Sequence, residues 1–173
     1  MTSDKTDFKE LFNSLGEIST RFLELISSAK STTLNNVPFA GSWTAAQVAS
    51  HVTKSNKAIE QALHIEGKLS ERNPGERVEE LKKMFLNYSA KFQSPQFIIP
   101  TQDIYQKEIL VADLKNSMEK LKETGEQSTL SEIISLPAFG EITKFELLHF
   151  VLYHTQRHLH QLKNIFKVLK TKN

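Results

Sequence analysis

The sequence contains no cysteine. That absence removes a disulfide framework, thiolate metal ligation and a cysteine nucleophile from the chemistry open to the chain. No apolar run approaches the roughly 20 residues needed to cross a bilayer. The N-terminus, Met1-Thr2-Ser3-Asp4-Lys5, turns directly into an amphipathic pattern and lacks an apolar signal core. A charge imbalance is also missing: 22 basic and 20 acidic residues are interspersed and leave a formal net charge of +2. Such a balance gives no electrostatic footprint for nucleic acid. The locally basic stretch from Lys163 to Lys172 reads as a solvated helix end. The expectation is a soluble cytoplasmic protein with neither a membrane nor a nucleic-acid partner.

What the chain does have is apolar pattern. Of its 173 residues 39% are hydrophobic, eleven of them Phe. A chain of this length buries roughly two-thirds of its unfolded surface, so one core can be filled without staples. No repeat, low-complexity tract or linker interrupts residues 1–173, which read as a single domain.

Four main helices and a shorter one follow from the periodicity. Phe8, Leu11, Leu15, Ile18, Phe22 and Leu25 recur at three- and four-residue steps, predicting a helix from Lys5 to Ala29. Ser31 to Ser42, with Pro38 and Gly41, reads as a loop. A second helix begins near Thr44, where Gln47 is placed to complete a capping arrangement, and runs to Gly67. The turn Asn73-Pro74-Gly75 precedes a shorter helix, Glu76 to Phe92. Ser94 to Thr101, with two prolines, reads as an extended packed segment or a short strand. Asp103 to Thr124 is helical, ended by Gly125. Thr129 to Gly140 reads as a loop packing apolar residues over one end of the molecule. Thr143 then caps a final helix, with Glu146 three residues on, reaching Lys170. Little strand signal remains, so the fold class is all-α, a four-helix bundle. The intervening segments are long enough for crossover connections.

The last helix carries the anomaly. Its inward stripe runs Leu147, Val151, His154, His158, Gln161, Ile165, Val168, so polar residues sit in the middle of an apolar face. Four residues advance a helix by about 400°, which sets His154 and His158 about 40° apart and one turn from each other. The second helix repeats the anomaly once: His51 lies on a stripe with Thr44, Val48, Ser55, Ala58 and Ala62. An unpaired imidazole in a core forfeits about 1–3 kcal/mol of hydrogen bonding. Three together would cost a large share of a typical stability of about 5–15 kcal/mol. A metal ion converts that cost into coordination, with a fourth position left for water or substrate. Gln47, one turn before His51, and Gln161, three residues after His158, are positioned to hydrogen-bond a ligand's second nitrogen or a metal-bound water. His64, His149 and His160 fall off the inward stripes and read as surface residues. Trp43 reads as a core plug at the helix start. No Asp or Glu lies on the inward stripes.

At these residues the chain resembles the DinB/YfiT-like superfamily. The matching segments are Ser42-Trp43-Thr44-Ala45-Ala46-Gln47-Val48-Ala49-Ser50-His51 and His154-Thr155-Gln156-Arg157-His158-Leu159-His160-Gln161, with a similar lead-in from Pro137 to Thr143. The resemblance implies a four-helix bundle with up-down-down-up topology, often dimeric, whose three histidines bind nickel, zinc or iron. Relatives of that kind include S-transferases that use low-molecular-weight thiols, and others described as hydrolases. The expected function is a metal-dependent thiol S-transferase acting on small electrophiles, with hydrolysis and a non-catalytic, metal-stabilised dimeric binding or stress module as alternatives. The expected partners are a small-molecule thiol, an electrophile and a second copy of the chain.

Overall fold

This computed structural model describes the backbone of residues 2–171 and the side chains of 7–171; Met1, Lys172 and Asn173 lie outside the described residues. Four long helices form the body: α1 (Thr2–Ser28), α3 (Ala45–Leu63), α5 (Lys107–Gln127) and α6 (Lys144–Thr171). A short α2 (Ser31–Asn35) links the first two, and α4 (Val78–Phe85) lies in the long connection between α3 and α5. Each long helix buries the stripe its periodicity marks. Leu11, Leu15, Ile18 and Phe22 on α1 meet Leu110, Leu114, Met118 and Leu121 on α5 and Leu147, Leu148 and Val151 on α6 in one core.

The two helices that later supply the site are both started by reciprocal caps. Thr44 accepts from the Gln47 backbone N–H at 3.1 Å, and the Gln47 side chain accepts from the Thr44 N–H at 3.0 Å. Thr143 and Glu146 repeat the arrangement at 3.0 and 2.9 Å. Both boxes satisfy amides that a helix start otherwise leaves unpaired.

Side-chain contacts fix the direction of each helix. Phe8 meets Phe145 with ring centroids 4.9 Å apart, so α1 and α6 begin at the same end. Asn56 bonds Ser117 and Glu60 accepts from Thr124, so α3 and α5 run parallel. Gly125, late in α5, lies against Phe12, early in α1, so those two are antiparallel. His51, early in α3, meets His158, well along α6. The order is up-down-down-up, and around the bundle α1 neighbours α6 and α5 while α3 packs on α5 and α6.

Several segments differ from the pattern-based reading. Thr129 to Gly140 is not a loop: β2 (Glu132–Leu136) and β3 (Gly140–Thr143) form an antiparallel hairpin, joined on its other edge by β1 (Lys68–Leu69). Ile134 faces Ile142 across the hairpin and both are buried, which is the half-buried alternation of a strand in too short a run to register. Gly140 has φ +66°, the left-handed residue that a three-residue hairpin turn requires. Gly67 is needed where β1 meets β2, because a Cβ there would lie 2.6 Å from the Ile133 carbonyl oxygen. Residues 31–35 are a short helix, and Ser94 to Thr101 contains one 3-10 turn, Gln96–Ile98. The short helix covers Val78–Phe85 only, and α5 continues past Gly125 to Gln127. Gly125 is buried inside that helix, where a Cβ would come within 3.1 Å of Leu148. Among the described residues no helix is long and apolar enough to cross a membrane.

Candidate metal centre

His51 on α3 and His154 and His158 on α6 converge in the groove between those helices. They are 1%, 6% and 8% exposed. His154 Nε2 lies 3.1 Å from His51 Nε2 and 3.1 Å from His158 Nε2. One ring nitrogen from each of the three lies within 4.8 Å of the others. The two 3.1 Å contacts at His154 fit a shared ion. Two nitrogens 3.1 Å apart, each about 2.0–2.1 Å from one centre, subtend roughly 95–102°, between the octahedral and tetrahedral angles.

The hydrogen bonds behind the rings favour the same reading. His51 Nδ1 lies 3.0 Å from the Ile98 carbonyl oxygen, so Nδ1 carries the proton and Nε2 is a bare lone pair. His158 Nδ1 lies 2.7 Å from Gln161 Oε1, which fixes the same tautomer. Both lone pairs therefore aim at His154 Nε2. A proton there can point straight at only one of them, and the other lone pair then faces the same nitrogen at 3.1 Å with no hydrogen between them. A cation at the shared position removes the conflict. Burial keeps all three rings neutral and hence ligating. It pushes His158 down to about 3, with His51 adding to the shift. It lowers His51, with Ile98 opposing and Lys54 assisting, and it holds His154 well below its ordinary value.

The second nitrogens are thus held by one backbone carbonyl and one side chain. Gln161 takes the role its spacing suggests. Gln47 does not: its amide oxygen closes the Thr44 cap and its nitrogen donates to the Gln102 carbonyl at 3.2 Å. The helix start uses the side chain that would otherwise reach His51. In its place Ile98 is carried in from the 96–102 segment, which Lys54 ties to α3 by a 2.7 Å bond to the Ile99 carbonyl. Periodicity gave no sign of either, since a carbonyl acceptor has no residue type. Gln161→Leu is expected to weaken metal binding about 10–100-fold, as loss of a ligand's hydrogen-bond partner does. Gln47→Ala should leave it unchanged and lower stability by about 1 kcal/mol; competition with a chromogenic chelator and urea titration read the two effects.

Aromatic rings wall the site. Trp43 lies 5.1 Å from His51, Phe150 5.1 Å and Phe85 6.4 Å from His154, centroid to centroid. Arg157 closes another side by donating to the carbonyls of Phe85, Asn87 and Ala90 while stacking 4.7 Å over Phe92. The other histidines stay apart. His64 pairs with Glu60, and exposed His160 stacks on Tyr88. His149 is half-buried rather than a surface residue, its Nδ1 donating to the Phe145 carbonyl. One acidic residue is buried on α6 after all: Glu146, eight residues before His154 and about 12 Å along the axis. Both its oxygens are taken by Arg72 at 2.6 and 2.7 Å and by the Thr143 and Arg77 backbone N–H groups. Burial alone would raise this carboxyl, but those bonds outweigh it and hold it below the usual range.

Fold and site together define a class: an up-down-down-up four-helix bundle with three histidines converging between its second and fourth long helices. The chain belongs to the DinB superfamily, whose family model matches residues 15–162. Its fold is similar to that of TT2238, described as a four-helix bundle protein, with a TM-score of 0.61 at 19% identity over 91% of this chain and 98% of that one. It is equally similar to YfiT from Bacillus subtilis, described as a probable metal-dependent hydrolase with an unusual four-helix bundle topology. There the TM-score is 0.61 at 14% identity, over 94% of this chain and 87% of that one. No curated protein matches the chain.

Proposed function

We propose that the chain is a metal-dependent enzyme that transfers a low-molecular-weight thiol to a small electrophile. His51, His154 and His158 would hold a divalent ion, whether nickel, zinc or iron. The observation that carries this reading is the donor set: three buried imidazoles, two with fixed tautomers, and no carboxylate among them. An ion held by these three rings would supply Lewis acidity that lowers the pKa of a thiol. The chain's own residues do the rest. Ile98 and Gln161 keep the two flanking rings in the ligating tautomer. Trp43, Phe85 and Phe150 set apolar rings beside the three histidines, surroundings that suit a soft sulfur nucleophile better than hydroxide. In the transfer the thiol gives up its proton to solvent, sulfur forms a bond to the electrophilic carbon, and a leaving group departs with the bonding pair.

Hydrolysis is the second reading, favoured by the description of YfiT. It needs a general base to activate water, and the one carboxylate buried on α6 is fully engaged with Arg72. The test is elemental analysis of natively purified protein followed by turnover assays with an activated aryl halide and a panel of thiols. Metal-dependent turnover that requires thiol supports transfer. Thiol-independent ester cleavage supports hydrolysis. A metal-loaded protein inert in both would be the non-catalytic module.

A further inference from the structure

A cavity of about 170 Å³ opens where α1 and α5 meet and reaches α3 at Asn56 and α6 at Val151 and Thr155. Its walls are apolar, chiefly Leu15, Met118, Leu121 and Val151. Two buried polar side chains also line it, Asn56 at 2% exposure and Thr155 at 3%. Asn56 donates to Ser117 Oγ at 3.3 Å, but its oxygen has no hydrogen bond among the described residues, and neither does the Thr155 hydroxyl. No fully sealed side-chain nitrogen or oxygen lacks a partner, so these two oxygens keep accessible surface, and both residues line the cavity. A ligand group that bonds them replaces water there, and two such acceptors line one space.

Gly16 and Lys122 line both this cavity and a more open groove beside Phe12 and Arg21, which marks the way in. A Cβ at Gly16 would meet nothing within 4 Å. Glycine inside a helix weakens it relative to most residues, and at this position it keeps the entrance clear.

We propose that this cavity binds a small, mostly apolar molecule bearing one hydrogen-bonding group, of the size and polarity of a phenol. Its volume of about 170 Å³ is of the order of an engineered cavity of about 150 Å³ that holds benzene. The Asn56 oxygen and the Thr155 hydroxyl add a preference for a hydroxyl over a bare ring. No histidine lines the site, and the inference does not rest on the proposed reaction.

The test is an NMR titration of the full chain with phenol and with benzene, repeated with a chelator present. Saturable phenol shifts at cavity residues are expected, with benzene at least about fivefold weaker, the worth of one hydrogen bond of about 1 kcal/mol. Thr155→Val should weaken phenol by about the same factor and leave benzene unchanged. Gly16→Leu should remove both ligands while the protein melts no lower. Absence of saturable shifts, equal affinity for the two ligands, or binding that survives Gly16→Leu would overturn the proposal.

Discussion

The His154→Ala protein is expected to purify without a stoichiometric ion while keeping its helical circular dichroism. His154 is the shared member of the cluster, its Nε2 3.1 Å from both neighbours. Removing it leaves two donors, and the loss in affinity should exceed the about 10–100-fold that follows from losing a ligand's partner. The bundle should survive, because α6 remains anchored by Leu147, Leu148, Leu159, Leu162 and Ile165. Taking away the middle ring also ends the competition of two lone pairs for one proton. The acid response is a second readout. Burial depresses all three rings in the folded chain, so the unfolded chain binds protons that the folded site refuses. Metal-free stability is therefore full above the ordinary value of 6.5 and falls as pH drops below it, down to about 3 for His158. Urea midpoints in chelator at pH 7.5 and pH 5.5 should differ more for the unaltered chain than for His154→Ala. A variant that retains one ion per chain would sink the assignment.

Glu146→Ala should cause the largest loss of stability without touching the metal. The carboxylate is fully buried, Arg72 grips both of its oxygens, and it completes the cap of α6. Deleting one member of a buried pair costs about 3–5 kcal/mol. For a chain of this size that lowers Tm by roughly 6–20 °C. Arg72 is a quarter exposed and regains some hydration, which places the effect toward the lower end. Because the carboxyl is held below its ordinary value, its contribution is present above that value and fades as pH falls through the folded one. Thermal melts and metal content measured on one preparation separate the effects: Tm falls and occupancy holds. A Tm within about 2 °C of the parent would show that the pair is not a structural tie.

The elements legible in the sequence are those whose signal is local and repeated. Four long stripes at helical period gave the bundle, and the Thr44/Gln47 and Thr143/Glu146 spacings gave both helix starts. His51, His154 and His158 were legible because three large polar rings interrupt stripes that are otherwise apolar. The hairpin was not, since its buried alternation amounts to Ile134 on one strand and Ile142 on the other. The hydrogen-bond partners of the ligands divide on the same line. Gln161 shares a helix face with His158, so spacing finds it. Ile98 reaches His51 from a segment 47 residues away through a backbone atom, and no pattern of residue types encodes that. Gln47 shows spacing misleading: two tasks, cap and ligand support, lay within reach of one side chain, and the cap took it.

The first and last helices lie side by side and point the same way, Phe8 against Phe145. That pairing joins residues roughly 140 positions apart, so the bundle cannot assemble by zipping one hairpin onto the next and should fold more slowly than an up-down-up-down bundle of equal size. Both helices start at one pole, so Phe8 lies about 40 Å from Thr171, the rise of the α6 residues that follow Phe145. A linker from the end of α6 back to the start of α1 would have to span the whole bundle.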